Sequence, residues 1–264
     1  MNVYVDLTRE FNAGRLRAVI CSGQAVVLHR LAIMSKDGDW ILREDAQALE
    51  HVLDVLARHG ARYRFGAPLD ARWMAGAWSA HLEFRSPELR VRTDFFTRPP
   101  RIAATDLARM WREQEGRDPP FVDAALLAEL KKTNREKDFA VIGELARIMT
   151  DPRQQLLYSR SALDLLELAR AHPHLVEELT PRRALLAELG IKREAIEEAL
   201  DRERRALMHA NERRLQAYRV ASQRWADAWQ ELERETARLP LPAAHAILAA
   251  RAQDLLPTRV DEPR

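Results

Sequence analysis

Three acids carry the chemistry this chain could do. Asp37 and Asp39 stand two residues apart in Ser35-Lys36-Asp37-Gly38-Asp39-Trp40, and Asp94 lies within Arg90-Val91-Arg92-Thr93-Asp94-Phe95-Phe96. In a strand, residues i and i+2 share a face, so Asp37 and Asp39 point the same way, roughly 7 Å apart by strand rise, with Gly38 on the other face. Mg²⁺ is usually held by one or two carboxylates together with waters and substrate phosphates. A third carboxylate from a neighbouring strand lets a second ion bind roughly 3.5–4 Å from the first, one steadying a leaving pyrophosphate and the other activating an attacking hydroxyl. Asp94 could also act as a base, although metal ligation suits it better. Glu83, in Ser79-Ala80-His81-Leu82-Glu83-Phe84-Arg85, is the rival third acid. Asp37-Gly38 is also a turn sequence, which would put both acids on a solvated loop. The direct run into Trp40-Ile41-Leu42 favours the strand.

These acids need elements to hold them. Residues 16–21 read as a short buried strand and residues 24–31 as the helix after it, with Ser22-Gly23 as the turn between. Glycine permits a tight turn and close backbone approach, and the exposed N–H groups of a helix start attract anions. Alone, such a turn is an ordinary cap; the acid pair beginning 14 residues after Gly23 makes it a candidate phosphate turn, with the Ser22 hydroxyl as an added donor. Glu44-Asp45 opens a second helix, in which Leu49, Val52, Leu53 and Leu56 recur at helical spacing and which Gly60 ends. Arg62-Tyr63-Arg64-Phe65 reads as a short strand, and residues 79–85 and 89–96 as a hairpin turned at Ser86-Pro87. Helices and a mixed sheet in this order predict an α/β layer.

From Ala104 onward the pattern is helical, punctuated by Asp118-Pro119-Pro120, Pro152, Pro173, Pro181 and Pro240. The expected division is therefore 1–103 and 104–264. Between Ile191 and Leu239 there are 21 charged residues, 11 basic and 10 acidic. Leu207, Tyr218, Trp225, Trp229 and Leu232 fall near one stripe, which predicts a single long helix, straight or bent, near 191–239. The stripe packs on another helix of the same chain or serves as an association surface; the balanced charge argues against an RNA-binding arm. Tandem repeats are not apparent.

Composition narrows the class. Lys+Arg 42 against Asp+Glu 40 gives a net charge of +2, which is no polybasic nucleic-acid signature. One cysteine, Cys21, excludes a disulfide scaffold and reads as an inert core thiol. No run approaches 18 apolar residues, and no signal-peptide stretch opens the chain, so a cytoplasmic protein with no membrane contact is expected. The eight histidines are scattered, and His172-Pro173-His174 lacks partners for zinc.

In order and spacing, Ser22-Gly23-Gln24-Ala25-Val26-Val27-Leu28-His29, the acid pair and the Asp94 strand resemble the nucleotidyltransferase superfold in its minimal bacterial form. The relatives are the abortive-infection-type nucleotidyltransferases and the nucleotidyltransferase-like proteins near them, and the likeness covers roughly residues 10–150. It implies an α/β catalytic domain followed by an all-α domain. The implied reaction moves a nucleoside monophosphate from an NTP to an RNA (such as tRNA), protein or small-molecule acceptor, with Mg²⁺ or Mn²⁺. Asp37, Asp39 and Asp94 become the catalytic, metal-holding acids. Asp94 is preferred to Glu83 because the family sets its third acid on a basic-apolar strand just before the domain's end, here Arg98-Pro99-Pro100-Arg101. Ser22, Gly23, Gln24 and Lys36 become nucleotide-binding residues.

Leu130-Lys131-Lys132-Thr133-Asn134-Arg135-Glu136-Lys137-Asp138-Phe139 is similar to a motif that follows the catalytic domain in these relatives. It implies phosphate contacts from Lys131, Arg135 and Lys137, with Asp138 capping or pairing with a neighbouring base. Cations at a helix start oppose its dipole, which an anionic ligand would explain; a solvated basic helix end is the plainer reading. Relatives include toxins of toxin–antitoxin pairs, so growth arrest and an antitoxin partner are further expectations. A non-catalytic relative working through its helical part is the alternative. The chain departs from the family in Ser22-Gly23-Gln24, where relatives carry two glycines or Gly-Ser, and in Gly38, where many carry an aliphatic residue. Both departures bear on substrate choice, and Gly38 could loosen the strand.

Overall fold

The computed structural model describes residues 2–86, 89–190 and 192–261. The chain divides into two compact units, Met1–Val122 with Leu215–Arg264, and Asp123–Arg214.

The first unit is built on a mixed five-stranded sheet. In chain order its elements are α1 (Val3–Phe11), β1 (Ala18–Cys21), α2 (Ser22–Leu28), β2 (Asp37–Leu42), α3 (Ala46–Arg58), β3 (Arg62–Tyr63), α4 (Ala71–Met74), β4 (Ala80–Ser86), β5 (Leu89–Phe96) and α5 (Ala104–Glu113). The strand order is β1-β2-β5-β4-β3. Among the described strands, β2 and β5 pair parallel and the other neighbours antiparallel, and Ile20 of β1 makes an isolated parallel bridge to Phe121. The β4–β5 hairpin forms over nearly the expected residues, while Pro87 of the expected turn lies outside the described residues.

Alternation along the strands gives the sheet one apolar face. Trp40 of β2 and Phe95 of β5 are register partners and stack at 5.4 Å between ring centroids. Helix α1 covers them. Asn2 caps it by accepting from the Tyr4 N–H, and Tyr4, Leu7, Thr8 and Phe11 form its buried stripe. The Phe11 ring meets the edges of both Trp40 and Phe95, and Trp40 Nε1 donates to Thr8 Oγ1 at 2.9 Å. Sequence reading missed this helix, although the cap and the 4, 7, 8, 11 spacing signal it. Helix α3 forms where expected, with Asp45 as its N-cap.

The second unit is all helical: α6 (Ala124–Leu130), α7 (Glu136–Ile148), α8 (Pro152–Tyr158), α9 (Ala162–Ala171), α10 (Pro173–Leu179), a 3₁₀ turn at Ala184–Glu188, and most of α11 (Arg193–Ala221). Its core gathers Leu156, Leu165, Leu186, Ile196 and their leucine neighbours. The chain then returns to the first unit through α12 (Gln223–Thr236) and α13 (Leu241–Leu255).

The expected boundary at 103–104 does not coincide with this division. Helix α5 and the C-terminal helices belong with the sheet. Several anchors join these distant stretches. Trp73 and Trp78 donate their indole N–H groups to the carbonyls of Leu256 and Pro257, and Trp225 donates to Gly66. The single helix expected near 191–239 is two helices divided at Ser222, and Ile191 itself lies outside the described residues. Among the described residues no helix is long and apolar enough to cross a membrane.

Candidate functional site

The face of the sheet opposite Trp40 is charged. Asp39 pairs with Asp94 across the parallel β2–β5 ladder, and Asp37 pairs with Arg92. Across β4–β5, His81 pairs with Asp94 and Glu83 with Arg92. All these side chains therefore share one face. Cys21 is the β1 partner of Asp39, so the turn at Ser22 begins one residue beyond the acid.

That turn is held in an uncommon conformation. Ser22 has φ 51, the left-handed region that a residue with a side chain adopts at a cost. Gln24 is buried, and its Nε2 donates to the carbonyls of Ser35 at 3.1 Å and Asp37 at 3.4 Å. Ser35 Oγ donates to the Asp37 carbonyl at 3.2 Å. A Cβ at Gly23 would collide with that Ser35 hydroxyl, so glycine here lets the turn lie against the entry to β2. Gln24 thus fixes the acid strand, while Lys36 is exposed beside it. Tyr4 donates its hydroxyl to the Lys36 carbonyl at 2.6 Å. Burial, and then the charges of Asp37 and Asp39, hold the Tyr4 phenol above its ordinary range.

Each acid has its own surroundings. Asp37 Oδ1 is shielded from solvent, has no hydrogen-bond partner among the described residues, and faces Arg92 Nη1 at 3.8 Å. Asp94 Oδ1 lies 2.8 Å from His81 Nδ1 and accepts from Arg64 Nη1 at 3.2 Å. His81 Nε2 is in turn hydrogen-bonded to Ser79 Oγ at 2.9 Å. Glu83 is buried beneath arginines: Arg62 and Arg90 donate to it at 2.9–3.3 Å, and Arg64 stands 3.9 Å away. Burial pushes the Glu83 carboxyl up, but the hydrogen bonds and charges of Arg90 and Arg62 outweigh it and hold it below the usual range. The rival third acid is therefore neutralised by its own neighbours.

The three predicted acids share one face without closing into a ready ion cage. Among the described residues no group of three or more His, Cys, Asp or Glu side chains is placed to hold a metal. Bare carboxylates repel, and Asp94 is drawn to Arg64 and His81. The donors nevertheless suit a hard divalent ion, which needs only one or two carboxylates besides phosphate and water. Asp37 contributes an oxygen that is shielded and lacks a hydrogen bond.

In the second unit the basic motif closes on itself. Asp138 is buried and accepts from Lys131 Nζ at 3.2 Å, Thr133 Oγ1 at 2.6 Å and Arg135 Nε at 2.9 Å. Burial pushes the Asp138 carboxyl up, but Thr133 and the two cations hold it below the usual range. Lys131 is buried in this pair, Arg135 is half-exposed, and Lys137 is exposed.

Ser79, His81 and Arg64 were not singled out from the sequence. The i, i+2 spacing of Ser79 and His81 signals a shared face, but which strand lies opposite is not written in that spacing.

No protein-family model matches the chain, and no curated protein matches it. Two solved structures do. One is a candidate nucleotidyltransferase from H. pylori, at 12% identity and TM-score 0.39, covering 80% of this chain and 95% of that one. The other is JHP933 from Helicobacter pylori, at 11% identity and TM-score 0.39, covering 77% and 93%.

Proposed function

We propose that this chain is a metal-dependent nucleotidyltransferase of the minimal bacterial, abortive-infection-like type. It would move a nucleoside monophosphate from an NTP to an RNA, protein or small-molecule acceptor. The observation that carries the reading is the register: Asp39 stands opposite Asp94 on parallel strands, with Asp37 on the same face and the Ser22 turn next to Asp39. Asp37 and Asp39 would hold Mg²⁺ or Mn²⁺, with Asp94 completing the acidic patch. Such an ion, when bound, supplies charge neutralisation for the triphosphate. Ser22 and the backbone of Gly23 would bind phosphate oxygens. His81 and Arg64 hold Asp94 in one orientation, so it need not be ordered when substrate arrives. Arg135 and Lys137 are proposed phosphate contacts, and a toxin role with an antitoxin partner is a further proposal of the same reading.

The test is NTP binding with and without metal. Wild type should bind NTP only with Mg²⁺ or Mn²⁺ present, and Asp39→Asn should lose that dependence while its circular dichroism stays unchanged. Binding that ignores metal would count against the reading. One observation favours the alternative of a non-catalytic interaction protein: Asp94 and Glu83 are already neutralised by bases of the same unit. On that reading NTP binds weakly or not at all, with or without metal.

A further inference from the structure

The second unit holds a cavity of about 200 Å³, room for roughly six or seven waters at about 30 Å³ each. Part of its lining is apolar, from Phe139, Ile142, Leu157 and Leu207. The rest carries four cations, Lys132, Arg160, Arg182 and Arg183, against two acids, Glu129 and Glu203. Glu203 accepts from Arg183 at 2.8–2.9 Å and also pairs with Arg160. Glu129 accepts from Lys132 Nζ at 2.6 Å. Arg182 is exposed and forms no ion pair with a described residue. Four cations less two acids leave two positive charges in excess around the cavity.

Three of these cations are held in place. Arg183 is buried and also donates to the carbonyls of Leu156 at 2.7 Å and Ser159 at 3.0 Å. Arg160 lies over the Phe139 ring and Lys132 over the Tyr158 ring. Burial lowers the Arg160 guanidinium below its ordinary range, which Glu203 opposes and Arg183 reinforces. Stability alone gives little reason for the arrangement, because replacing a buried ion network by apolar side chains is often neutral or stabilising.

We infer that this cavity binds a compact dianion carrying a phosphate group. The excess of two charges matches a dianion, and guanidinium forks with an ammonium suit phosphate oxygens. The site stands whether or not the first unit transfers nucleotides.

Inorganic phosphate is the probe, titrated calorimetrically into the full chain at constant ionic strength against a chloride blank. Wild type should show saturable binding in the millimolar range or tighter. Arg182→Ala, at an exposed position, should weaken it roughly tenfold, the loss of one charge-assisted contact. Glu129→Gln, which frees Lys132, should tighten it. Arg238→Ala, an exposed arginine of the first unit, should leave it unchanged. Absence of saturable wild-type binding overturns the inference. So does an Arg182→Ala variant that binds as wild type, or an equal loss in Arg238→Ala.

Discussion

Gly38 sits between the two acids with the rings of Trp40 and Tyr4 against it. A Cβ there would collide with both, and Trp40 cannot withdraw because it is fully buried and hydrogen-bonded to Thr8. The sequence alone suggests a glycine that loosens β2; the packing shows that it lets α1 seat on the strand. Gly38→Ala should cost about 1–3 kcal/mol, as overpacked cores do, seen as a fall in melting temperature. An unchanged melting temperature would mean that the rings give way. Glu83 offers a test through pH. Its folded pKa is depressed from 4.5, so its ionised form stabilises the fold above the unfolded value, and that contribution is lost as pH falls through the folded value. Glu83→Gln should therefore cost about 1–3 kcal/mol at neutral pH, and the gap to wild type in urea midpoint should close as pH falls below about 4. A gap that persists in acid would show that shape, not charge, is lost. The shared face of Asp37 and Asp39 was legible because strands alternate with period two. The partners of Asp94 and Glu83 were not, since His81, Arg64 and Arg90 meet them only through strand pairing.

Helix and strand identities were the most legible part of the elements. Asp45, Leu49, Val52 and Leu56 announce α3, and the 79–96 region announces its hairpin. The division between α11 and α12 was not legible, because no proline marks it. Ser222 carries it, with its hydroxyl donating back to the Arg219 carbonyl, a side-chain bond that competes with helical pairing. The aromatic stripe on either side of it faces inward. Trp225 is 1% exposed, Tyr218 meets Trp78 edge-on at 4.8 Å, and Trp229 meets Phe65. Most of these contacts are with loops around β3 and β4, not with the helix that the spacing predicted. Trp225→Ala should cost about 3–5 kcal/mol, as core aromatic truncations do, read from denaturant midpoints. A variant that keeps its stability but changes from dimer to monomer in light scattering would make the stripe an association surface instead.

The whole molecule is two units threaded by one chain that leaves the first unit after Val122 and rejoins it at Leu215. A linear reading places boundaries where composition changes, near 103, and has no means of seeing the return. Among the links that hold the C-terminal helices to the first unit are indole hydrogen bonds to Gly66, Leu256 and Pro257, each joining residues more than 150 apart. The near balance of Lys+Arg 42 and Asp+Glu 40 hides an uneven distribution, with acids and arginines interleaved on one sheet face and surplus cations around a cavity in the helical unit. On the proposed function, the acidic face performs nucleotidyl transfer. The most direct test is incubation of the full chain with each of the four α-³²P-labelled NTPs, Mg²⁺ or Mn²⁺, and cell extract, followed by measurement of label on RNA, protein and small-molecule fractions. Metal-dependent label should appear on one fraction with wild type and on none with Asp39→Asn or Asp94→Asn. No label from any NTP, or equal label from the variants, would contradict that function.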